Sequence, residues 1–164
     1  MKLSEFKKTI KPFVKDYISI DKILYNEEQT TEKCIVMVRK HWRNLCCIKN
    51  QTPEICLEAV KQNGMALQYV KFQTEEICLK AIQNCVYALE YVKNQTEKIC
   101  LEAVKQNGWA LLYVKNQTPE ICMEAVKQNG WALEYVKNQT PEICLEAVKE
   151  NLKSVIYVDW SIFD

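Results

Sequence analysis

A period of 22 residues governs most of this chain. Threonines recur at that spacing, and a cysteine follows each of them by four residues. Sequence periods of roughly 20–50 residues are typical of stacked repeat architectures, so the period restricts the chain to such a fold. The threonines are Thr30, Thr52, Thr74, Thr96, Thr118 and Thr140, and the cysteines are Cys34, Cys56, Cys78, Cys100, Cys122 and Cys144.

Numbered from the threonine as column 1, the repeat reads T-P/E-E-I-C-L-E-A-V-K-Q-N-G-W-A-L-E-Y-V-K-N-Q. Its first half has the chemistry of a helix start, as in Thr118, Pro119 and Glu120. Threonine accepts hydrogen bonds from unpaired N–H groups, proline suits the first helical position, and glutamate favours the positive end of the dipole. A lysine at column 10, such as Lys127, suits the negative end.

A pair such as Asn107-Gly108 predicts the break between two helices, because both residues tolerate the left-handed conformation. Three repeats lack the glycine, so column 12, where Asn predominates, is the alternative left-handed position. We expect a second helix over columns 14 to 20, ended by the Asn-Gln pair of columns 21 and 22.

Both helices are apolar over more than half of their circumference, at about 100° per residue. Two helices of about ten residues cannot cover so wide a face alone, so neighbouring repeats must cover it. The sequence therefore predicts an all-α fold, an α-solenoid of six 22-residue helical hairpins over residues 30–161, with a tail at 162–164. Residues 1–29 lie outside the register and are predicted to form N-terminal capping helices. The repeats are expected to begin at residues 30, 52, 74, 96, 118 and 140.

Composition narrows the possible functions. The 22 basic and 21 acidic residues give a net charge of +1, which disfavours a dedicated nucleic-acid-binding protein. No apolar stretch approaches membrane-spanning length, and the odd number of cysteines, nine, favours a reducing compartment. We therefore expect an intracellular, cytoplasmic protein without membrane association.

The residue types and motifs that usually carry catalysis are scarce in this sequence. His41 is the only histidine and no glycine-rich phosphate loop occurs, so we expect no enzymatic activity, no catalytic residue and no cofactor. Cys34, Cys46 and Cys47 could approach His41, but these spacings match no strong zinc pattern, and no metal site is predicted. Equivalent cysteines of stacked layers should lie about 9–10 Å apart, too far for disulfides, and are expected to be core residues.

Two further columns recur. The tyrosines at column 18 are expected to pack in the core with their hydroxyls at the rim, stacking of single-stranded nucleic acid being the alternative. The lysines at column 20 are expected to form a solvated face. The tyrosines are Tyr69, Tyr91, Tyr113, Tyr135 and Tyr157, and the lysines are Lys49, Lys71, Lys93, Lys115 and Lys137.

Columns 14 and 17 differ most between repeats and lie at the edge of the apolar arc. Varied, partly aromatic positions on a regular scaffold are typical of partner recognition, although tryptophans at these positions could instead fill gaps between repeats. Our candidate partner-binding residues are Tyr87, Trp109, Leu112 and Trp131. The apolar tail from Val155 to Phe163 either folds back over the last repeat or offers an edge for homo-oligomers.

The segments EICLEAVKQNGWALEYVKNQ and EICLEAVKQNGMALQYVK resemble an uncharacterised family of short helical-hairpin repeats. This family, a domain of unknown function, is abundant in giant DNA viruses of amoebae. The resemblance covers residues 30 to 160 and implies the hairpin fold and, for a viral protein, the host cytoplasm. It implies no activity or catalytic residue.

The sequence thus favours a non-enzymatic scaffold that binds an unknown protein partner. The alternative is a structural module that self-assembles through the apolar C-terminal edge. Nucleic-acid binding is the third and weaker hypothesis.

Overall fold

The computed structural model describes residues 29–163, which contain helices and no strand. Each repeat pairs a ten-residue α-helix with a six-residue 3₁₀ helix. The α-helices are α1 (Thr31–Lys40), α2 (Pro53–Gln62), α3 (Glu75–Asn84), α4 (Glu97–Gln106), α5 (Pro119–Gln128) and α6 (Pro141–Glu150). The 3₁₀ helices are η1 (Trp42–Cys47), η2 (Gly64–Tyr69), η3 (Val86–Tyr91), η4 (Gly108–Tyr113), η5 (Gly130–Tyr135), η6 (Leu152–Tyr157) and the terminal η7 (Trp160–Phe163).

The α-helices begin as their sequence predicts. In α2 the Thr52 side chain accepts a hydrogen bond from the Ile55 N–H at 3.4 Å, and Pro53 occupies the first turn. The threonine of every described repeat caps its helix in this way. The local N-terminal signal therefore fixes where each repeat starts.

The predicted left-handed residue between the helices is wrong, because no residue in the described part of the chain has a positive φ. Column 12 is extended instead, with φ −156° and ψ 120° at Asn63. There the Asn63 side chain accepts a hydrogen bond from the Met65 N–H at 2.9 Å and caps the next helix. The asparagine is selected as a cap and not as a left-handed residue.

The second helix is also shorter and tighter than expected. It spans columns 13 to 18, not 14 to 20, and is a 3₁₀ helix with three residues per turn. In η4, Gly108 and Leu111 are buried three residues apart, whereas Trp109 and Leu112 are exposed three residues apart. The buried positions therefore repeat every 3.0 residues and not every 3.6 residues as assumed. A segment of six residues is too short for its sequence to distinguish these two periods.

The repeats stack in sequence order. Each α-helix packs on the α-helix of the next repeat, and each of η1 to η5 packs on the 3₁₀ helix that follows and on the α-helix of the next repeat. Isoleucine, cysteine, alanine and valine of the α-helix and alanine and leucine of the 3₁₀ helix form one continuous core. The all-α solenoid of 22-residue helix pairs is therefore confirmed. The predicted capping helices of residues 1–29 lie outside the described residues, apart from Gln29.

Glycine at column 13 is required by the close approach of the next repeat. A Cβ atom on Gly64 would lie 2.2 Å from the carbonyl oxygen of Ala81, and one on Gly108 would lie 2.5 Å from that of Ala125. Both distances are far below van der Waals contact. Steric fit against the neighbouring α-helix, and not a special backbone conformation, explains these glycines.

Candidate partner-binding surface and the network behind it

One face of the stacked 3₁₀ helices exposes aromatic and acidic side chains. Residues three apart in a 3₁₀ helix eclipse each other, so columns 14 and 17 lie side by side in each repeat. Leu112 is 53% exposed, Tyr87 46% and Trp109 37%, whereas Trp131 is half-buried. We call this surface the ridge, and it consists of Tyr87, Glu90, Trp109, Leu112, Trp131 and Glu134.

The aromatic rings of the ridge are held by the following repeat. The Trp109 ring packs edge-on against Tyr135 with 5.6 Å between centroids, and Trp131 packs in the same way against Tyr157 at 5.8 Å. Tyr87 meets Tyr113 at 6.1 Å. Column 14 therefore both fills space against the next tyrosine and remains in contact with solvent. The following repeat thus holds these rings in a fixed orientation.

The ridge is acidic at its two ends and apolar at its centre. Partial desolvation, and then the neighbouring Glu134 carboxylate, raises the pKa of Tyr135 and of Tyr157. Column 14 carries basic residues only in the first and last repeats, where Arg43 lies 5.0 Å from the ring centroid of Trp42 and Lys153 is exposed. The ridge thus presents two carboxylates, Glu90 and Glu134, one repeat to either side of an apolar centre.

Behind the ridge runs a ladder of glutamines that sequence reasoning read only as helix ends. The Gln95 amide donates to the carbonyl oxygens of Leu89 at 3.1 Å and Tyr113 at 2.9 Å, and its oxygen accepts from the Lys115 N–H at 2.9 Å. The same three bonds recur at Gln51, Gln73, Gln117 and at Gln139, where Asp159 replaces lysine. Glutamine stands at column 22 in each of the first five repeats, and its side chain has two donors and an acceptor to satisfy, which is the sequence signal for this network.

The lysines of column 20 have a structural role beyond a solvated face. The Lys71 ammonium donates to the carbonyl oxygens of Ile48 at 3.2 Å and Lys49 at 2.9 Å in the preceding repeat. Lys93 and Lys115 make the same pair of bonds, and Lys137 donates to the Lys115 carbonyl oxygen at 3.2 Å. A cation at the carbonyl end of a helical segment is favourable, so the lysine row ties repeats together.

The register cysteines are buried, and the geometry places them as core thiols. Cys100 is 2% exposed, and its thiol donates to the Gln95 oxygen at 3.8 Å. Burial raises the pKa of Cys100 and of Cys122. These groups act as small apolar residues with one weak donor each.

The arrangement does not assemble the conceivable metal cluster around His41. Its Nδ1 atom accepts a hydrogen bond from the Arg43 N–H at 3.1 Å, which makes it a helix cap. Within residues 29–163 no three His, Cys, Asp or Glu side chains are grouped closely enough to hold a metal ion.

The C-terminal segment folds against the last repeat without covering it. Trp160 and Phe163 of η7, with Leu145 and Val148 of α6, line an apolar pocket of about 380 Å³. Trp160 is 64% exposed and Leu145 56%. The end of the stack is thus partly closed and remains apolar. None of the described helices combines the length and apolarity that crossing a bilayer requires.

The fold and the ridge define a helical-repeat protein. Within this class, the model of the family described as a domain of unknown function, DUF4116, matches residues 52–96, 75–118, 96–140 and 118–163. These overlapping matches cover more than half of the chain, so the chain belongs to that family. The membership confirms the resemblance to a repeat family of unknown function, while the association with giant viruses stays a prediction. Searches of the curated proteins and of the solved structures found no match.

Proposed function

We propose that this protein is a non-enzymatic scaffold whose ridge binds an extended segment of a protein partner. The main observation in support of this proposal is that three successive repeats each present one aromatic ring on the same face. The next repeat holds each of these rings in place. Rigid, half-exposed aromatic side chains lose little conformational entropy on binding and are enriched among interface anchors.

The charges on the ridge favour a segment with an apolar group between two cations. Leu112 lies at the centre, and Glu90 and Glu134 lie one repeat to either side. A cation beside Tyr87 or Trp131 would meet both a ring and a carboxylate, which is a favourable environment for arginine.

The spacing of the repeats favours a polyproline II conformation. Stacked helical layers lie about 8–10 Å apart. A polyproline II helix advances about 3.1 Å per residue with three residues per turn, so every third side chain returns to the same face after about 9.3 Å. A segment of the form Arg-Pro-Pro-Leu-Pro-Pro-Arg would therefore present its three side chains to three successive repeats. Proline-rich segments of this kind dock on aromatic surfaces at low entropic cost.

The capped heptapeptide Arg-Pro-Pro-Leu-Pro-Pro-Arg is the direct probe, with isothermal titration calorimetry of the full chain as the measurement. We expect binding that weakens at least fivefold in Glu90→Gln/Glu134→Gln and in Leu112→Ser. Both changes lie at exposed positions and should leave the stack intact. Phe72→Ala, which removes an 83% exposed aromatic side chain elsewhere, is the matched control and should bind as tightly as the unaltered chain.

A peptide with glutamate in place of both arginines should bind more weakly. Equal binding of both peptides would remove the charge argument while leaving a ridge-dependent interaction. Equal binding by Leu112→Ser and the unaltered chain, or no binding at all, would contradict the proposed ridge.

Self-association is the second candidate function, and the apolar pocket beside α6 favours it. A second copy of this chain could bury Leu145, Trp160 and Phe163, which are more than half exposed. Light scattering should then show a mass that rises with concentration, and Trp160→Ser/Phe163→Ser should abolish the rise. A mass that stays monomeric at high concentration would dismiss this candidate.

An intracellular location in a reducing compartment belongs to the same proposal. The buried cysteines Cys56, Cys78, Cys100, Cys122 and Cys144 each donate a thiol hydrogen bond to a ladder glutamine. Only the reduced form carries that proton, so a reducing environment preserves the network.

A further inference from the structure

The junctions between successive repeats are not all alike. Where column 13 is glycine, its N–H group donates a hydrogen bond to the side chain at column 11 of the next repeat, as Gly64 does to the Asn84 oxygen at 2.6 Å. The pairs joined in this way are Gly64–Asn84, Gly108–Gln128 and Gly130–Glu150. Glycine therefore permits both the close approach of the next α-helix and a bond to it.

Repeat three carries a buried valine at column 13, and its junction with repeat four is different. The Val86 N–H group forms no hydrogen bond with any residue that the structure describes. At the equivalent position of Gly108 a Cβ atom would lie 2.5 Å from the next α-helix, whereas ordinary contact needs about 3.5 Å, so a side chain here holds that helix away by about 1 Å. The Gln106 amide of repeat four reaches only the Gln83 carbonyl oxygen, at 3.5 Å. Accordingly, the backbones of α4 and η3 lie together over a shorter stretch than those of α5 and η4.

The opposite edge of the same junction is held together. Gln95 of repeat three bonds the Tyr113 carbonyl oxygen and the Lys115 N–H group of repeat four, both at 2.9 Å. Lys98 stands at column 3, where the other five repeats carry glutamate, and its ammonium group pairs with Glu75 of repeat three. The junction is therefore fixed along the edge that contains columns 20 to 3 and is separated along the edge that contains columns 10 to 13.

Repeat one also lacks the glycine, but its junction is closed by other contacts. Arg39 at column 10 pairs with Glu58 of repeat two at 2.8 Å, and the Trp42 ring at column 13 lies 6.0 Å from the Tyr69 ring. Repeat three has the neutral Gln83 at column 10. Among the described junctions, that between repeats three and four is thus the one without a glycine bond or an ion pair at this edge.

We propose that the junction between repeats three and four is a joint at which the solenoid bends. Repeats one to three and repeats four to six form two blocks, which pivot about the edge held by Gln95 and open between Val86 and α4. In a one-dimensional stack each repeat contacts only its neighbours, so the least bonded interface yields first. The joint lies between the ridge rings of Tyr87 and Trp109, and bending changes their separation whether or not the ridge binds a partner.

Distances along the edge of column 10 test the joint. Nitroxide labels attached through p-acetylphenylalanine at the exposed positions Lys61, Lys105 and Lys149 leave all nine cysteines in place. The 61/105 pair spans the joint, whereas the 105/149 pair spans the same number of repeats across two glycine junctions. Double electron–electron resonance should give a longer mean distance and a distribution at least about 1.5-fold wider for the 61/105 pair.

Exchanging the residues at column 13 should move the joint. Val86→Gly should bring the 61/105 distances to the mean and width of the 105/149 pair, whereas Val86→Ala keeps a Cβ atom and should leave them broad. Gly108→Val should lengthen and broaden the 105/149 distances. The comparison of the two pairs without these substitutions decides the question even where a variant does not fold. Equal means and widths for the two pairs, or a folded Val86→Gly chain whose 61/105 distances stay broad, would overturn the proposal.

Discussion

The glutamine that closes each of the first five repeats links that repeat to the next one through its side chain alone. Gln95 is half-buried and bonds two carbonyl oxygens and one N–H group that belong to different repeats. Buried polar groups must find partners, and losing one partner costs more than the bond itself contributes. At this scale the repeat is specified by a polar residue as well as by its apolar ones.

Replacing Gln95 by leucine should lower the free energy of unfolding by about 1–3 kcal/mol, because the Tyr113 carbonyl and the Lys115 N–H would lose the half-buried Gln95 amide as their partner. Urea unfolding followed by circular dichroism measures the change. Asn94→Ala, at the exposed neighbouring position, should cost less than about 0.5 kcal/mol. Equal midpoints for the two variants would exclude a stabilising ladder.

The buried thiols predict a dependence of stability on pH. Burial raises the pKa of Cys56, Cys100 and Cys122, so the folded chain holds these protons more tightly than the unfolded chain. The stabilisation from these protonated thiols is complete below the unfolded thiol pKa of about 8.5. It is lost as the pH rises above that value, and each thiol contributes a decline of at most about 1.4 kcal/mol per pH unit. Urea unfolding between about pH 7.5 and 9.5 should show this decline. Cys100→Ala/Cys122→Ala should show a shallower one, and an equal slope would contradict the assignment.

At the scale of the helix pair, sequence reasoning succeeded where a single residue carries the signal and failed where a period had to be measured over a short segment. Thr52 and Pro53 alone predict where α2 begins, and the wide apolar arc of each helix predicts that the repeats stack. Six residues from Gly64 to Tyr69 cannot separate a period of 3.0 from one of 3.6, so the sequence predicts an ordinary helical period where η2 is a 3₁₀ helix.

The role of glycine needed information that a single repeat does not contain. Gly108 meets the carbonyl oxygen of Ala125 in the next repeat, a contact that depends on how the repeats stack. The Trp109 ring likewise owes its position to Tyr135. Columns 14 and 17 could be identified as exposed from their variation, but the acidic flanks at Glu90 and Glu134 gain meaning only once the stack aligns them.

Gly108→Ala should destabilise the chain by about 1–3 kcal/mol, because its Cβ atom would lie 2.5 Å from the Ala125 oxygen. Without that contact, alanine in place of glycine in a helical segment would stabilise by up to about 1 kcal/mol. Whether the free energy of unfolding falls or rises, measured by thermal or urea unfolding, therefore decides between the steric contact and the helix propensity as the dominant effect. Gln106→Ala, an exposed change on the adjacent helix, serves as the control.

At the scale of the whole molecule, repeats two, three and four make the same glutamine and lysine bonds to the repeat before them. Such an array is approximately one-dimensional, so its stability is a sum of repeat and interface contributions. A whole repeat can then be exchanged or removed, whereas half of one cannot.

Deleting residues 96–117 joins Gln95 to Thr118 and keeps the register, so we expect a folded helical chain of lower stability. Deleting residues 96–106 removes α4 alone and should unfold or aggregate the chain, because η4 would lose its partner helix. Circular dichroism and thermal unfolding of both proteins compare the outcomes. Equal disruption by the two deletions would argue against independent 22-residue units.

The stacking of the repeats in sequence order is tested most directly by distances between equivalent exposed positions. Spin labels can be attached in pairs through Asn50→Cys, Asn94→Cys and Asn138→Cys in a Cys46→Ser/Cys47→Ser background. Positions 50 and 94 are two repeats apart, and positions 50 and 138 are four repeats apart. At about 9–10 Å per layer, double electron–electron resonance should give about 18–20 Å for the 50/94 pair and a distance approaching twice that for the 50/138 pair. A 50/138 distance no longer than the 50/94 distance would contradict the solenoid.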